Sequence, residues 1–179
     1  MNKLQEKASE LLKEGIVKLI IGFEQGNNKV RPFFCEKPED TNKLIYSDDC
    51  TTNNAVYLTK KELTSNDKVA IIATYKEVAS IIQLNKENQI KKENLIVLTV
   101  DKDGNVTELS SFEEMEKFCT ENTPSPNPVV TALIEKIDKM SREERWAYWK
   151  SELDKCIRCY ACRAACPLCY CNRCISEVN

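Results

Sequence analysis

The stretch Lys68-Val-Ala-Ile-Ile-Ala73 decides the fold that this sequence predicts. It is short, apolar and rich in β-branched residues, which is typical of a strand buried on both faces. Residues 75–84 place Val78 and Ile81 on one helical face, and residues 94–100 (NLIVLTV) form another apolar run. Strand, helix and strand at this spacing predict a βαβ unit. The expected class is therefore α/β, with a partly parallel sheet and covering helices.

Signals on both sides extend this sheet. Residues 15–22 (GIVKLIIG) predict another buried strand, preceded by a helix over 2–14 that Gly15 caps. The remaining signals predict a turn over 22–28, a strand over 29–34 interrupted by Pro32, a short strand over 43–47, a helix from Asn53 through Leu63, a strand over 106–109 and a helix over 112–119.

A proline-rich linker separates this domain from the rest of the chain. Residues 123–128 (TPSPNP) hold three prolines in five positions, and Asn127 with Pro128 predicts the start of a helix. Ser141-Arg-Glu-Glu144 is a capping box that opens a second helix. We therefore predict an α/β domain over 1–122, a linker with helices over 123–155, and a cysteine-rich, ferredoxin-like tail over 156–179.

The second helix ends with an apolar face of Trp146, Trp149 and Leu153. The spacing of these residues favours packing over the tail or onto the α/β domain, and the alternative is a stripe that docks a partner.

Seven of the ten cysteines lie within residues 156–174. The first four form Cys156-Ile-Arg-Cys159-Tyr-Ala-Cys162-Arg-Ala-Ala-Cys166-Pro, the C-x2-C-x2-C-x3-C-P pattern of bacterial ferredoxins. This pattern predicts an iron–sulfur cluster. Zinc sites usually combine separated C-x2-C pairs, often with His, and the chain has no His. Disulfides would need an oxidising compartment.

The three later cysteines, Cys169, Cys171 and Cys174, leave two ligand sets open. In one, a single [4Fe–4S] cluster takes the first four thiolates, or replaces that of Cys166 with one of the last three. In the other, the fourth thiolate comes from the last three and the remaining cysteines bind a second metal. Seven thiolates cannot complete two four-cysteine sites, which favours one cluster. Arg158, Arg163 and Arg173 add positive charge that would raise its potential.

Composition excludes several functions. The net charge of −2 predicts no nucleic-acid partner, and no apolar run is long enough to span a membrane. The first fifteen residues lack the apolar core of a secretion signal, which predicts a cytoplasmic location. The four glycines form neither G-x-G-x-x-G nor a Walker A loop, so a self-sufficient dehydrogenase or nucleotide hydrolase is not expected.

Residues 141–174 resemble the iron–sulfur proteins related to the beta subunit of coenzyme F420 hydrogenase/dehydrogenase, above all in Glu143-Glu-Arg-Trp-Ala-Tyr-Trp149 and the cysteine run. Segments of the α/β domain resemble the N-terminal domain of the same family. The resemblance implies an electron-transfer subunit without catalysis of its own. Implied partners are flavin- or iron–sulfur-containing subunits of formate dehydrogenases, hydrogenases or heterodisulfide-reductase-like complexes. The alternatives are a flavin-binding oxidoreductase subunit acting on a soluble carrier, and a scaffold whose tail is folded by metal.

The chain departs from the family pattern in its N-terminal domain. Lys76 and Lys102 stand where family members usually have cysteines, and only Cys119 remains before the linker. Lysine does not ligate iron, so no cluster is expected there. Cys35, Cys50 and Cys119 are predicted to be ordinary half-buried thiols.

Overall fold

The computed structural model describes residues 2–60, 63 and 67–171, with Lys92 described for its backbone only. In this part of the chain, five strands form one sheet in the order β2-β1-β3-β4-β5. They are β1 Leu19–Gln25, β2 Val30–Cys35, β3 Val69–Ile72, β4 Leu95–Val100 and β5 Val106–Leu109. The central strands β1, β3 and β4 run parallel, and the edge strands β2 and β5 are antiparallel to their neighbours. The predicted α/β class and partly parallel sheet are confirmed.

Helices cover both faces of this sheet because its central strands are apolar on both. The helices are α1 Lys3–Lys13, α2 Tyr75–Lys86, α3 Phe112–Glu121, α4 Pro128–Asp138, α5 Arg142–Leu153 and α6 Ala161–Ala165, with 3-10 helices at Pro38–Lys43, Asn54–Thr59 and Lys92–Asn94. Ile21 and Ile71 pack in a cluster with residues of α2 and α3, whereas Ile20 and Ile72 pack in a second cluster with residues of α1. Successive strand residues thus supply opposite layers of the core.

Strand β1 lies later in the chain than predicted, and the two glycines expected at its ends have other roles. Gly15 has φ +65° and ends α1, where the amide of Ile16 donates to the Leu11 carbonyl at 3.0 Å. The strand begins later, at Leu19, and runs through Gly22 to Gln25. A Cβ at Gly22 would lie 2.7 Å from Ile72 Cδ1, so glycine there allows close packing and starts no turn.

Three weaker predictions also change. Pro32 lies inside β2, where it pairs with Phe23, because an edge strand tolerates a missing amide donor. The strand predicted over 43–47 is reduced, in the described structure, to one bridge between Phe23 and Ile45. The helix predicted from Asn53 is the short 3-10 helix Asn54–Thr59, and its expected continuation lies partly outside the described residues.

The chain divides into two compact units, one of residues 2–122 with 162–171 and one of residues 123–161. In the second unit, neither α4 nor α5 has a buried residue. Trp146, Trp149 and Leu153 on α5 are 70%, 49% and 69% exposed, and the packing expected for their face stays a prediction. Across the described residues, no helix is both long and apolar enough to cross a membrane.

Candidate metal centre

The cysteine segment begins where α5 ends. The predicted capping box starts this helix: Ser141 Oγ accepts from the Glu144 amide at 3.2 Å, and the Glu144 carboxylate accepts from the Ser141 amide at 2.7 Å. Hydrogen bonds to the carboxylate, first from the Ser141 amide and then from the Ser141 side chain, hold the pKa of the Glu144 carboxyl below its ordinary value. At the other end, the amide of Cys156 donates to the Leu153 carbonyl at 3.0 Å. This hydrogen bond to the last turn of the helix thus sets the backbone position of Cys156, the first cysteine of the segment.

The loop after Cys156 has an unusual backbone. Arg158 and Tyr160 have φ values of +56° and +58°, which side-chain-bearing residues rarely adopt. The turn directs the amide of Arg158 at Cys156 Sγ, 3.4 Å away. This contact ties the Cys156 sulfur to the backbone of the turn. Cys156 and Cys159 are both exposed.

The second half of the segment is a compact loop around Arg163. Cys162 lies on α6, and the amide of Cys166 donates to the Arg163 carbonyl at 3.4 Å. The amide of Cys169 then donates to the Cys166 carbonyl at 3.1 Å. The guanidinium of Arg163 donates to the Cys171 carbonyl at 2.8 Å, which closes the loop. Arg163, predicted to tune a cluster, therefore also has a structural contact.

A side-chain hydrogen bond joins this loop to the α/β domain. Tyr170 Oη donates to the carboxylate of Glu87 at 2.5 Å, across 83 positions of sequence. Glu87 caps the carboxyl end of α2. Its pKa is lowered, first by the bond from Tyr170 and then by one from Gln83, and the same bond raises the pKa of Tyr170.

The predicted ligands follow one another closely along the chain, but the described side chains among them are not grouped into a metal site. Within residues 2–60, 63 and 67–171, no three Cys, Asp or Glu side chains are grouped to hold a metal ion. Cys174 lies outside the described residues. The exposed thiols of Cys156, Cys159 and Cys162, with the half-buried Cys166, nevertheless form the donor set that an iron–sulfur cluster uses. The residues therefore fit the cluster by chemistry and access, and their convergence would accompany metal binding.

The cysteines of the α/β domain are unsuited to binding metal. Cys35 is fully buried and Cys50 nearly so, deeper than predicted, whereas Cys119 is half-buried as expected. Burial raises the pKa of the Cys35 thiol to about 11, and it raises the pKa of the other two thiols as well. Burial thus favours the protonated form of all three thiols.

A buried carboxylate at the start of α2 was not predicted from the sequence. Glu77 is fully buried, and it accepts from the amides of Asn54 at 3.1 Å and Thr74 at 2.9 Å, and from the Thr74 hydroxyl. Asn54 in turn donates from Nδ2 to the Gly22 carbonyl at 2.8 Å. The pattern Thr74-x-x-Glu77 is a capping box like the one predicted at Ser141. The sequence therefore did contain a signal for the capping role of Glu77.

Comparison with known proteins gives limited matches to one kind of subunit. No family model matches the chain. The F420-dependent formate dehydrogenase subunit beta of Methanocaldococcus jannaschii is 38% identical over 52 residues, which cover 27% of this chain and 14% of that protein. The F420-dependent formate dehydrogenase 1 subunit beta of Methanococcus maripaludis is 30% identical over 77 residues, covering 35% and 20%. The chain thus matches a fifth or less of each relative's length, and the resemblance inferred from its residues is supported to that extent.

Proposed function

We propose that this chain is an iron–sulfur electron-transfer subunit of an oxidoreductase complex. One [4Fe–4S] cluster would be held by Cys156, Cys159 and Cys162 with a fourth thiolate from Cys166, or in its place from Cys169, Cys171 or Cys174. The observation that supports this most is the C-x2-C-x2-C-x3-C-P run, whose first three thiols are exposed directly after a capped helix. The partial similarity to formate dehydrogenase beta subunits agrees with it.

The residues around the cysteines would position and tune this site. A cluster ligated by four thiolates has no open coordination position, so it supplies single-electron transfer and binds no substrate. The amide of Arg158 donates to Cys156 Sγ and would hold that sulfur in position within the turn. The exposed guanidinium of Arg158 would place positive charge beside the anionic cluster. The side chain of Arg163 keeps the later cysteines in a closed loop through its bond to the Cys171 carbonyl.

The partner that we propose is a flavin- or iron–sulfur-containing subunit of the same complex. The two relatives are named as beta subunits of formate dehydrogenases, which makes a formate dehydrogenase the first partner to test, with hydrogenase and heterodisulfide-reductase-like complexes next. In such a complex the chain would pass electrons between that subunit and the catalytic one. A reducing, cytoplasmic location would suit its exposed thiols.

The deciding experiment is anaerobic iron and sulfide analysis of the full chain, with EPR spectra before and after dithionite. We expect about four irons per chain and an S = 1/2 signal on reduction. Zinc without sulfide would contradict the proposal and favour a metal-folded scaffold. Flavin in the purified protein would instead favour an oxidoreductase subunit that acts on a soluble carrier.

Matched cysteine variants make this result specific. Cys159→Ser removes an exposed ligand, and we expect it to lose most of the iron and the EPR signal. Cys119→Ser changes a half-buried thiol outside the segment and should keep both. Equal iron in the two variants would place the cluster elsewhere.

A further inference from the structure

Tyr170 is a residue of the tail that contacts the α/β domain. It is half-buried, whereas Cys169 and Cys171 on either side of it are exposed. Its hydroxyl donates to Glu87, and Pro167 in the same loop is buried. The loop is therefore joined to the α/β domain by a side-chain hydrogen bond and holds one buried residue of its own.

The acceptor of this hydrogen bond is itself held in place. The Glu87 amide donates to the Gln83 carbonyl at 3.0 Å, and the Gln83 side-chain amide donates to the Glu87 carboxylate at 2.6 Å. The helix beneath them is fixed by Ile81 and Leu84, both fully buried in the domain. Glu87 thus offers Tyr170 an acceptor whose position is set by the core and does not depend on the tail.

We propose that Tyr170 is a positioning residue whose hydrogen bond to Glu87 holds residues 162–171 on the carboxyl end of α2 before metal binds. Cys162 and Cys166 are then partly ordered when iron arrives, so less conformational entropy is lost on assembly. The effect on assembly rests on the proposed function, whereas the order of the loop in the metal-free chain does not.

The first measurement is hydrogen exchange of residues 162–171 in the full, metal-free chain under anaerobic conditions. Tyr170→Phe keeps the ring but removes the donor, and Glu87→Ala removes the acceptor. We expect roughly fivefold faster exchange in both, the size that loss of one hydrogen bond allows. Glu87→Gln keeps an acceptor oxygen and should restore part of the protection.

Two matched controls separate this bond from general effects. Tyr148→Phe changes a tyrosine on α5, and Glu93→Gln changes an exposed carboxylate after α2. Both should leave the exchange of residues 162–171 unchanged. Wild-type exchange in Tyr170→Phe, or no difference between Glu87→Ala and Glu87→Gln, would overturn the inference.

The second measurement is the rate at which the metal-free chain forms a cluster from ferrous iron and sulfide. We expect Tyr170→Phe to assemble it severalfold more slowly than wild type and to reach the same final iron content. Equal rates would overturn the positioning role even where exchange differs. If the wild type takes up no iron, the proposed function and the assembly effect both fall, and the exchange result still decides whether Tyr170 orders the loop.

Discussion

At the scale of single residues, burial separates Cys35 from the exposed cysteines of the tail. Cys35 has no exposed surface, its thiol donates to the Lys37 carbonyl, and its pKa is about 11. Cys156, Cys159 and Cys162 are exposed. Because the thiolate is both the nucleophile and the metal ligand, a thiol with a pKa of about 11 is unsuited to either role near neutral pH.

This division predicts the pattern of alkylation. In the metal-free chain at pH 8, iodoacetamide should label the exposed thiols first and Cys35 more than a hundredfold more slowly, since a thiol of pKa about 11 is about one-thousandth ionised there. Peptide mass spectrometry over time gives both rates. Because its pKa is raised, the thiolate fraction of Cys35, and with it the labelling rate, should rise about tenfold per unit between pH 7 and 9.

Cys119 provides an internal control for this experiment. It is half-buried, and burial raises its pKa as well, so its rate should fall between the two groups. Cys35 is the last residue of β2 and is buried. If it were labelled as fast as Cys159 is, that buried position would be contradicted.

At the scale of elements, the same capping motif occurs in two environments. Glu77 closes the box at the start of α2 inside the core, whereas Glu114 closes an exposed box on α3 through the amides of Ser110 and Ser111. Glu77 additionally satisfies the amide of Asn54. Removing Glu77 would leave buried donors without an acceptor, while donors exposed by loss of Glu114 can turn to water.

We therefore expect Glu77→Ala to lower the free energy of unfolding by about 3 kcal/mol and Glu114→Ala by about 1 kcal/mol. Urea unfolding followed by circular dichroism measures both. Glu77→Gln, which keeps an acceptor oxygen, should lie between them. Equal costs for the two alanine variants would mean that burial adds nothing to this cap.

Local patterns predicted most elements, and the errors came from tertiary contacts. The run Val69–Ile72 and the run Leu95–Val100 are apolar on both faces, so strands within a covered sheet followed directly. Gly22 suggested a turn because glycine often ends a strand. The reason for glycine at this position is the close approach of Ile72. That residue lies 50 positions away in the sequence, so no local pattern indicates the contact.

At the scale of the whole molecule, the sequence predicts a set of candidate ligands but not the contacts that support them. The spacing from Cys156 to Cys166 identifies a donor set regardless of fold. The contact of Tyr170 with Glu87 depends on how the tail meets α2, which no spacing rule encodes. The positions of the thiols around a metal also depend on the metal itself, so the spacing of the cysteines does not determine them.

The distribution of buried residues gives a last prediction. Every member of the two buried apolar clusters lies between Leu4 and Met115, and α4 and α5 contribute none. A chain ending at Asn122 should therefore keep one cooperative urea transition, with a free energy of unfolding within about 2 kcal/mol of the full chain. A chain ending at Ser111 also loses α3 and buried Met115, and should show no cooperative transition. If the Asn122 chain behaves like the shorter one, residues beyond the linker stabilise the domain through more than the contacts of Pro167 and Tyr170.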